Sequence, residues 1–215
     1  MKHGRFEASK RDNQHSGDIS GECKVDQQTD SVRNVLSYLH DFVFLLSGIL
    51  LVLLLLFRVV VVSGPSMRNT LIDGDYIILM NNILYREPQQ GDIIVASKDS
   101  FKNGEPIIKR IIALEGQEVD IDFEAGIVYV DGVALDEEYT LTPTNQSEGM
   151  IFPLTVDEGC VFVMGDNRNN SKDSRDPEIG LIDCREILGK AIFLALPGVD
   201  NITDTRDLSR IGGLS

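Results

Sequence analysis

Ser66 follows the pair Gly64-Pro65 just beyond a long apolar run, and a serine hydroxyl on such a turn is a candidate nucleophile. The pair is strong punctuation: proline fixes its own φ and biases the preceding residue away from helix, so the run must end there. Most serines in turns are only turn residues, and this one needs a base to do more. All three histidines, His3, His15 and His40, precede the end of the apolar run, so a Ser-His-Asp arrangement is closed to Ser66 if that run spans a membrane. The G-x-S-x-G elbow is also absent, the context being Gly64-Pro65-Ser66-Met67-Arg68.

Lysine is the remaining base. Its free pKa of about 10.4 leaves about one part in a thousand neutral near pH 7, so it must be desolvated to serve. Lys109 has the surroundings for this, inside Glu105-Pro106-Ile107-Ile108-Lys109-Arg110-Ile111-Ile112. Strand alternation sets Lys109 and Arg110 on opposite faces, so at most one of them is expected to reach the core. A lysine on the wet face of a strand is the plain alternative. A third stretch, Gly165 through Arg175, is polar or glycine throughout and follows the apolar Val161-Phe162-Val163-Met164. It reads either as a solvated loop or as an internal network of Asp-Arg pairs fixing a site.

These groups need elements to hold them. Between Asp41 and Arg58 lie 16 residues without a charge. As a helix they span roughly 24 Å, and extension back to Val35 and on toward Val62 matches the ~30 Å hydrocarbon core, with Arg58 snorkelling. Leucine and valine on every face favour lipid over a buried core helix. The 41-residue polar lead and the lack of a small-x-small site argue against a cleaved signal peptide. Beyond Ser66 the pattern changes to short β-branched runs between turns: Tyr76–Leu79, Asp92–Val95, Ile107–Ile112, Gly126–Val130, Cys160–Met164 and Ala191–Leu194. Asp131-Gly132 between Val130 and Val133 predicts a hairpin. The expected fold is therefore mainly β, an antiparallel sheet or barrel-like domain after one transmembrane helix. Residues 1–31 read as a polar, disordered tail, 32–62 as the anchor and its exit, 63–198 as the chemical domain and 199–215 as a loose tail. Residues 134–152 read as a long loop.

The net charge of −14 resides in residues 63–215, whereas residues 1–41 are nearly balanced. An acidic domain without a basic stripe sets nucleic acid aside as a partner. The basic residues flanking the apolar run tie, so charge alone leaves orientation open. Cys23, Cys160 and Cys184 show no metal-ligand spacing. Cys160 and Cys184 read better as two separately buried thiols than as a disulfide.

Together, Gly64-Pro65-Ser66-Met67 after a span, Lys109-Arg110 in an apolar strand, Gly165 through Arg175, and Gly189-Lys190-Ala191 resemble the bacterial type I signal peptidases. These are membrane-anchored Ser/Lys endopeptidases that remove signal peptides from exported proteins. The resemblance runs from about Phe57 to Pro197. It implies Ser66 as nucleophile, Lys109 as general base and Ser171 as the serine that hydrogen-bonds near the lysine. It places Asp166, Asp173 and Arg175 in structural roles, with Arg110, Met67 and Gly64 as motif neighbours of the dyad. It further implies no metal or organic cofactor, an N-terminus inside the bacterial cell, and a catalytic domain outside the cytoplasm on the membrane lipid. The implied partners are secreted preproteins with small residues before the cleaved bond, with room for contact with the export machinery.

Two positions depart from the family pattern. Asn69 stands where Ser-Met-x-Pro-Thr-Leu has proline, and Gly64 stands where some members carry a serine that donates to the oxyanion. Two other readings compete: a catalytically inactive anchored relative acting as a scaffold, and a repressor-type self-cleaving Ser/Lys protease. The retained Ser66 and Lys109 count against the first, the anchor and the acidic domain against the second.

Overall fold

The computed structural model describes residues 19–200 and 203–214. The expectation of a disordered lead over residues 1–18 lies outside the described residues, while 19–31 belong to a helix. This helix, α1 (Ile19–Leu56), contains the stretch Val32–Leu56, 25 residues of mean hydropathy 2.5. By length and composition that stretch is long and apolar enough to cross a membrane.

The helix ends at Leu56, earlier than the expected run toward Val62, because Phe57-Arg58-Val59-Val60-Val61 forms strand β1 (Phe57–Val61). The run of four valines suits an extended chain, since two heavy atoms on Cβ crowd the preceding helical turn. Strands β2 (Tyr76–Asn81), β3 (Ile93–Ala96) and β4 (Ile107–Ala113) follow, then β5 (Glu118–Asp122), β6 (Ile127–Val130), β7 (Val133–Ala134) and β8 (Leu154–Thr155). The chain continues through β9 (Cys160–Met164), β10 (Ile182–Asp183), β11 (Ile187–Leu196) and β12 (Gly212–Gly213). All pairings are antiparallel. One sheet runs β1-β2-β11-β3-β4-β9-β10 with β12 on β11, and a smaller one runs β7-β6-β5-β8. The six expected runs are strands; β1 lies in the stretch read as the anchor and its exit, β7 belongs to the expected hairpin, and the other four give no signal because they are short or polar, as in Glu118-Val119-Asp120-Ile121-Asp122. The expected hairpin joins Val130 to Val133, with Asp131 at φ 52° and Gly132 at φ 76° in the left-handed region.

Three apolar clusters hold this arrangement. Ile112, Ala113, Phe162 and Met164 of the large sheet pack on Val119, Ile121, Val128 and Val130 of the small one. A second cluster joins Ile94, Ile111, Val163 and Ile187. A third gathers Ile77, Ile93, Ala191 and Leu194 around Val62, Met67 and Leu71. β1 and β4 are separated by three strands, yet both border one groove, so the large sheet curls strongly. Cys160 and Cys184 are free thiols that pack against different clusters, and both are half-buried rather than buried.

The expected loose end is different too. Residues 212–213 pair with Phe193 and Leu194 of β11, where the β3 pairing has already stopped at Lys190. Leu214 packs against the third cluster. Two glycines gave no apolar signal for a strand, so backbone pairing was invisible in the sequence.

Candidate active site

Ser66 and Lys109 meet at the curl. Lys109 Nζ lies 2.9 Å from Ser66 Oγ and 3.1 Å from the Ile108 carbonyl oxygen. Lys109 is only 4 % exposed, and burial pushes its pKa down to about 8, against the pull of Asp173 and Glu148, which favour the charged form. Both Lys109 and Arg110 are buried, correcting the expectation that at most one would reach the core. Alternation still holds, but β4 is covered on both faces, so each side chain enters a different interior.

Ser66 has no strand of its own. Its turn is fixed by Met67 and Leu71, one helical turn apart and both buried in the third cluster. Gly64 sits at φ +91° and donates its N–H to Asp73 Oδ1 at 2.8 Å. Nothing obstructs a side chain there, so the backbone angle alone disfavours any other residue, serine included. Asn69 adopts φ +101°, a conformation closed to proline, and its side chain donates to the Tyr139 carbonyl oxygen. Asn69 therefore sits in a turn that a proline could not adopt, secured by a side-chain hydrogen bond. The Ser66 N–H donates no hydrogen bond among the described residues.

The polar stretch is an internal network rather than a solvated loop: Asp166, Arg168, Asp173, Ser174 and Arg175 are all buried. Asp166 accepts from Arg110 Nε at 3.0 Å and Nη2 at 2.9 Å, and from the Thr70 hydroxyl. The Arg110 guanidinium lies 4.0 Å above the Tyr139 ring and also donates to the Gly91 carbonyl oxygen. Asp173 accepts a two-pronged contact from Arg175, with Nε and Nη2 each at 2.8 Å. Its Oδ2 also accepts from Ser171 Oγ at 2.8 Å and from the Gly165 N–H at 3.0 Å. Ser171 thus donates its hydroxyl to Asp173 and makes no hydrogen bond to Lys109 among the described residues. A Cβ at Gly165 would come within 2.2 Å of Ser171 Oγ and 2.5 Å of the Ser66 carbonyl oxygen. Only glycine lets these three segments converge.

Sequence reasoning assigned no role to several neighbours. Asn167 binds the Ser66 turn twice, N–H to the Ser66 carbonyl oxygen and Nδ2 to that of Pro65. Thr70 links that turn to Asp166. Arg168 pairs with Glu137. Glu148 accepts from the Asp173 N–H at 3.3 Å and lies 3.4 Å from Arg175; burial, then Asp173, raises its pKa to about 7. Asn167 and Thr70 stood inside motifs already noticed, whereas Glu148 lies in an irregular loop with no pattern to mark it.

A groove of about 400 Å³ opens beside Ser66 and Lys109. Val60 to Met67 form one wall, Glu105 to Lys109 the other, with Phe101 and Lys172 also bordering it. Its walls include two strand margins. β1 ends the large sheet, and β9 pairs with β4 only from Arg110 onward, leaving Ile107 to Lys109 without a strand on that side. No cluster of metal-binding side chains occurs among the described residues.

Comparison with known proteins places this site in a family. The family model described as "Signal peptidase, peptidase S26" matches residues 35–196. "Probable signal peptidase I-1" of Synechocystis sp. is 40% identical over 159 residues, 68% of this chain and 78% of that protein. Signal peptidase I of Bacillus licheniformis is 31% identical over 180 residues, 80% of this chain and 94% of that protein. A solved signal peptidase I from Enterococcus faecalis V583 is 33% identical and covers 49% of this chain and 97% of its own, with a TM-score of 0.40. The assignment rests on the family model and the two sequence relatives. On those matches, the chain belongs to the signal peptidase family, peptidase S26.

Proposed function

We propose that the chain is a serine endopeptidase that removes signal peptides from exported preproteins, with Ser66 as nucleophile and Lys109 as general base. The observation that carries this reading is the 2.9 Å contact between Ser66 Oγ and the Nζ of a lysine held in a dry interior. Neutral Lys109 takes the proton of Ser66 as the hydroxyl attacks the scissile carbonyl. The oxyanion forms near the Ser66 N–H, which donates to no group among the described residues and so is available. Protonated Lys109 gives its proton to the leaving amine, then activates the water that releases the acyl group. Asp166, Arg110, Asp173 and Arg175 act as the frame of the dyad, and Ser171 joins that frame through Asp173. The reaction calls on no metal or organic cofactor.

The open margins of β1 and β4 suit an extended substrate, which would add backbone hydrogen bonds to either wall. The segment Val32–Leu56 serves as a single membrane anchor, with the N-terminus inside and the peptidase domain outside the cytoplasm against the lipid surface. Residues before the cleaved bond are small, typically alanine.

The test is cleavage of a detergent-solubilised preprotein by the wild type, Ser66→Ala and Lys109→Ala. One cut after an A-x-A site by the wild type, and none by either folded variant, is the expected result. Failure of the folded wild type on several preproteins would favour the inactive-scaffold reading. Cleavage surviving in Lys109→Ala would mean that another group is the base.

A further inference from the structure

The C-terminal segment lies beyond the region matched by the family model, residues 35–196, yet it reaches back to the turn that carries Ser66. Asp207 accepts the Ser209 N–H at 2.9 Å and opens a short helical turn, Leu208–Arg210. Gly212 and Gly213 then pair with β11, so Arg210 is fixed from both sides. Its guanidinium bridges three acceptors. Nη1 donates to Asp75 Oδ1 at 3.0 Å, while Nη2 donates to Asp75 Oδ2 at 2.7 Å and to the Thr70 carbonyl oxygen at 3.1 Å.

Those acceptors sit at both ends of the loop after the nucleophile. Asp75 is fully buried and also accepts from the Ile72 N–H at 2.8 Å and the Gly198 N–H at 2.7 Å. Thr70 donates its N–H to the Met67 carbonyl oxygen and its hydroxyl to Asp166, which holds Arg110 beside Lys109. Thr70 is therefore gripped from two directions, by the dyad's frame on one side and by the chain end on the other. A second tie, Arg68 Nη2 to Asp200 Oδ1 at 3.0 Å, joins the same loop to the chain after β11.

We propose that Arg210 is a positioning residue for the nucleophile: the C-terminal segment is a clamp that fixes Thr70 and Asp75, and through them the turn presenting Ser66. The claim of a catalytic effect rests on Ser66 being the nucleophile; the claim of a mechanical one does not. A planar guanidinium is suited to this bridge, whereas a lysine ammonium is a point charge that cannot span both acceptors in the same geometry.

The experiment uses the full-length, detergent-solubilised chain as wild type, Arg210→Ala and Arg210→Lys. Amide hydrogen exchange over residues 66–75 is read beside kcat and KM on a preprotein. In Arg210→Ala the Thr70, Leu71 and Ile72 amides are expected to exchange at least about tenfold faster while strand amides of β4 and β9 keep their protection. The same variant should lose about tenfold to a hundredfold in kcat with KM within about twofold. Arg210→Lys should recover part of both effects, and it provides the readout should the alanine variant fail to fold. Unchanged exchange in this loop overturns the clamp whatever the activity does. Faster exchange with unchanged kcat overturns the positioning role. If the loop loosens but the folded wild type cuts nothing, the clamp stands and the assignment of Ser66 falls.

Discussion

Ser66 and Lys109 are 2.9 Å apart but are held by different physics. Lys109 is part of a strand with β3 beside it and apolar clusters on both faces, so its position and its dryness come from packing. Ser66 rides a turn held by discrete contacts: Asn167 on two carbonyl oxygens, Asp73 on the Gly64 N–H, and the Met67 and Leu71 side chains as plugs. In the proposed reaction the base is tuned by what excludes water, and the nucleophile is aimed by what it is tied to. Substitutions near the two groups should therefore fail in different ways.

The largest effect belongs to the proposed base itself. Lys109→Met and Lys109→Arg should each lower kcat by about 10²- to 10⁴-fold, because arginine keeps its charge and cannot accept the proton. An active arginine variant would break the packing half of the comparison. Gly165→Ala comes next. Its Cβ meets the Ser66 carbonyl oxygen, a backbone atom that cannot swing aside, so a stability loss of about 1–3 kcal/mol is expected with a fall in kcat. Thermal unfolding and turnover, measured together, check this. Asn167→Ala removes one tether while keeping the backbone bond. It should cost about 0.5–1.5 kcal/mol and a few-fold in kcat, and leave the pH profile where it was.

The smallest effects sharpen the electrostatic side. In the wild type kcat/KM should rise with pH and reach half its maximum near 8, as Lys109 loses its proton. Glu148, when charged, favours charged Lys109, so Glu148→Gln should move that acid limb to lower pH by a fraction of a unit. A limb that stays put would show that Glu148 is decoupled from the base. Stability obeys the same group. Lys109 titrates at about 8 in the folded chain against about 10.5 unfolded, so the unfolded state binds more protons between those values. Its contribution to stability therefore increases as pH rises through that window, and urea unfolding across the range measures it.

Much of this was legible because the chemistry sits in blocks. Lys109 stood out as a charge inside an apolar strand, and Gly64-Pro65 marked a turn, although the helix stops before it at Leu56. The polar loop declared its density of charges but not its burial, because burial depends on what the small sheet and the 134–152 loop place over it. Arg110 was misjudged since alternation predicts which face a side chain takes, not whether that face is covered. Glu148 and Arg210 were silent for a related reason. Their partners lie 25 to 140 residues away, and a lone acidic or basic residue in an irregular segment has no periodicity to betray it.

The outer margin of β1 has a consequence for the chain's behaviour in crowded surroundings. Val59 and Val61 are exposed on a strand whose far side has unpaired backbone groups, which is a template for any extended chain, including another copy of this one. Arg58 at the start of that strand and Pro65 soon after its end act as gatekeepers, the first by repulsion between copies and the second by lacking an N–H to share. Replacing Arg58 with valine would lengthen the apolar edge to five β-branched residues in a row and turn a receptive margin into a seed for self-association.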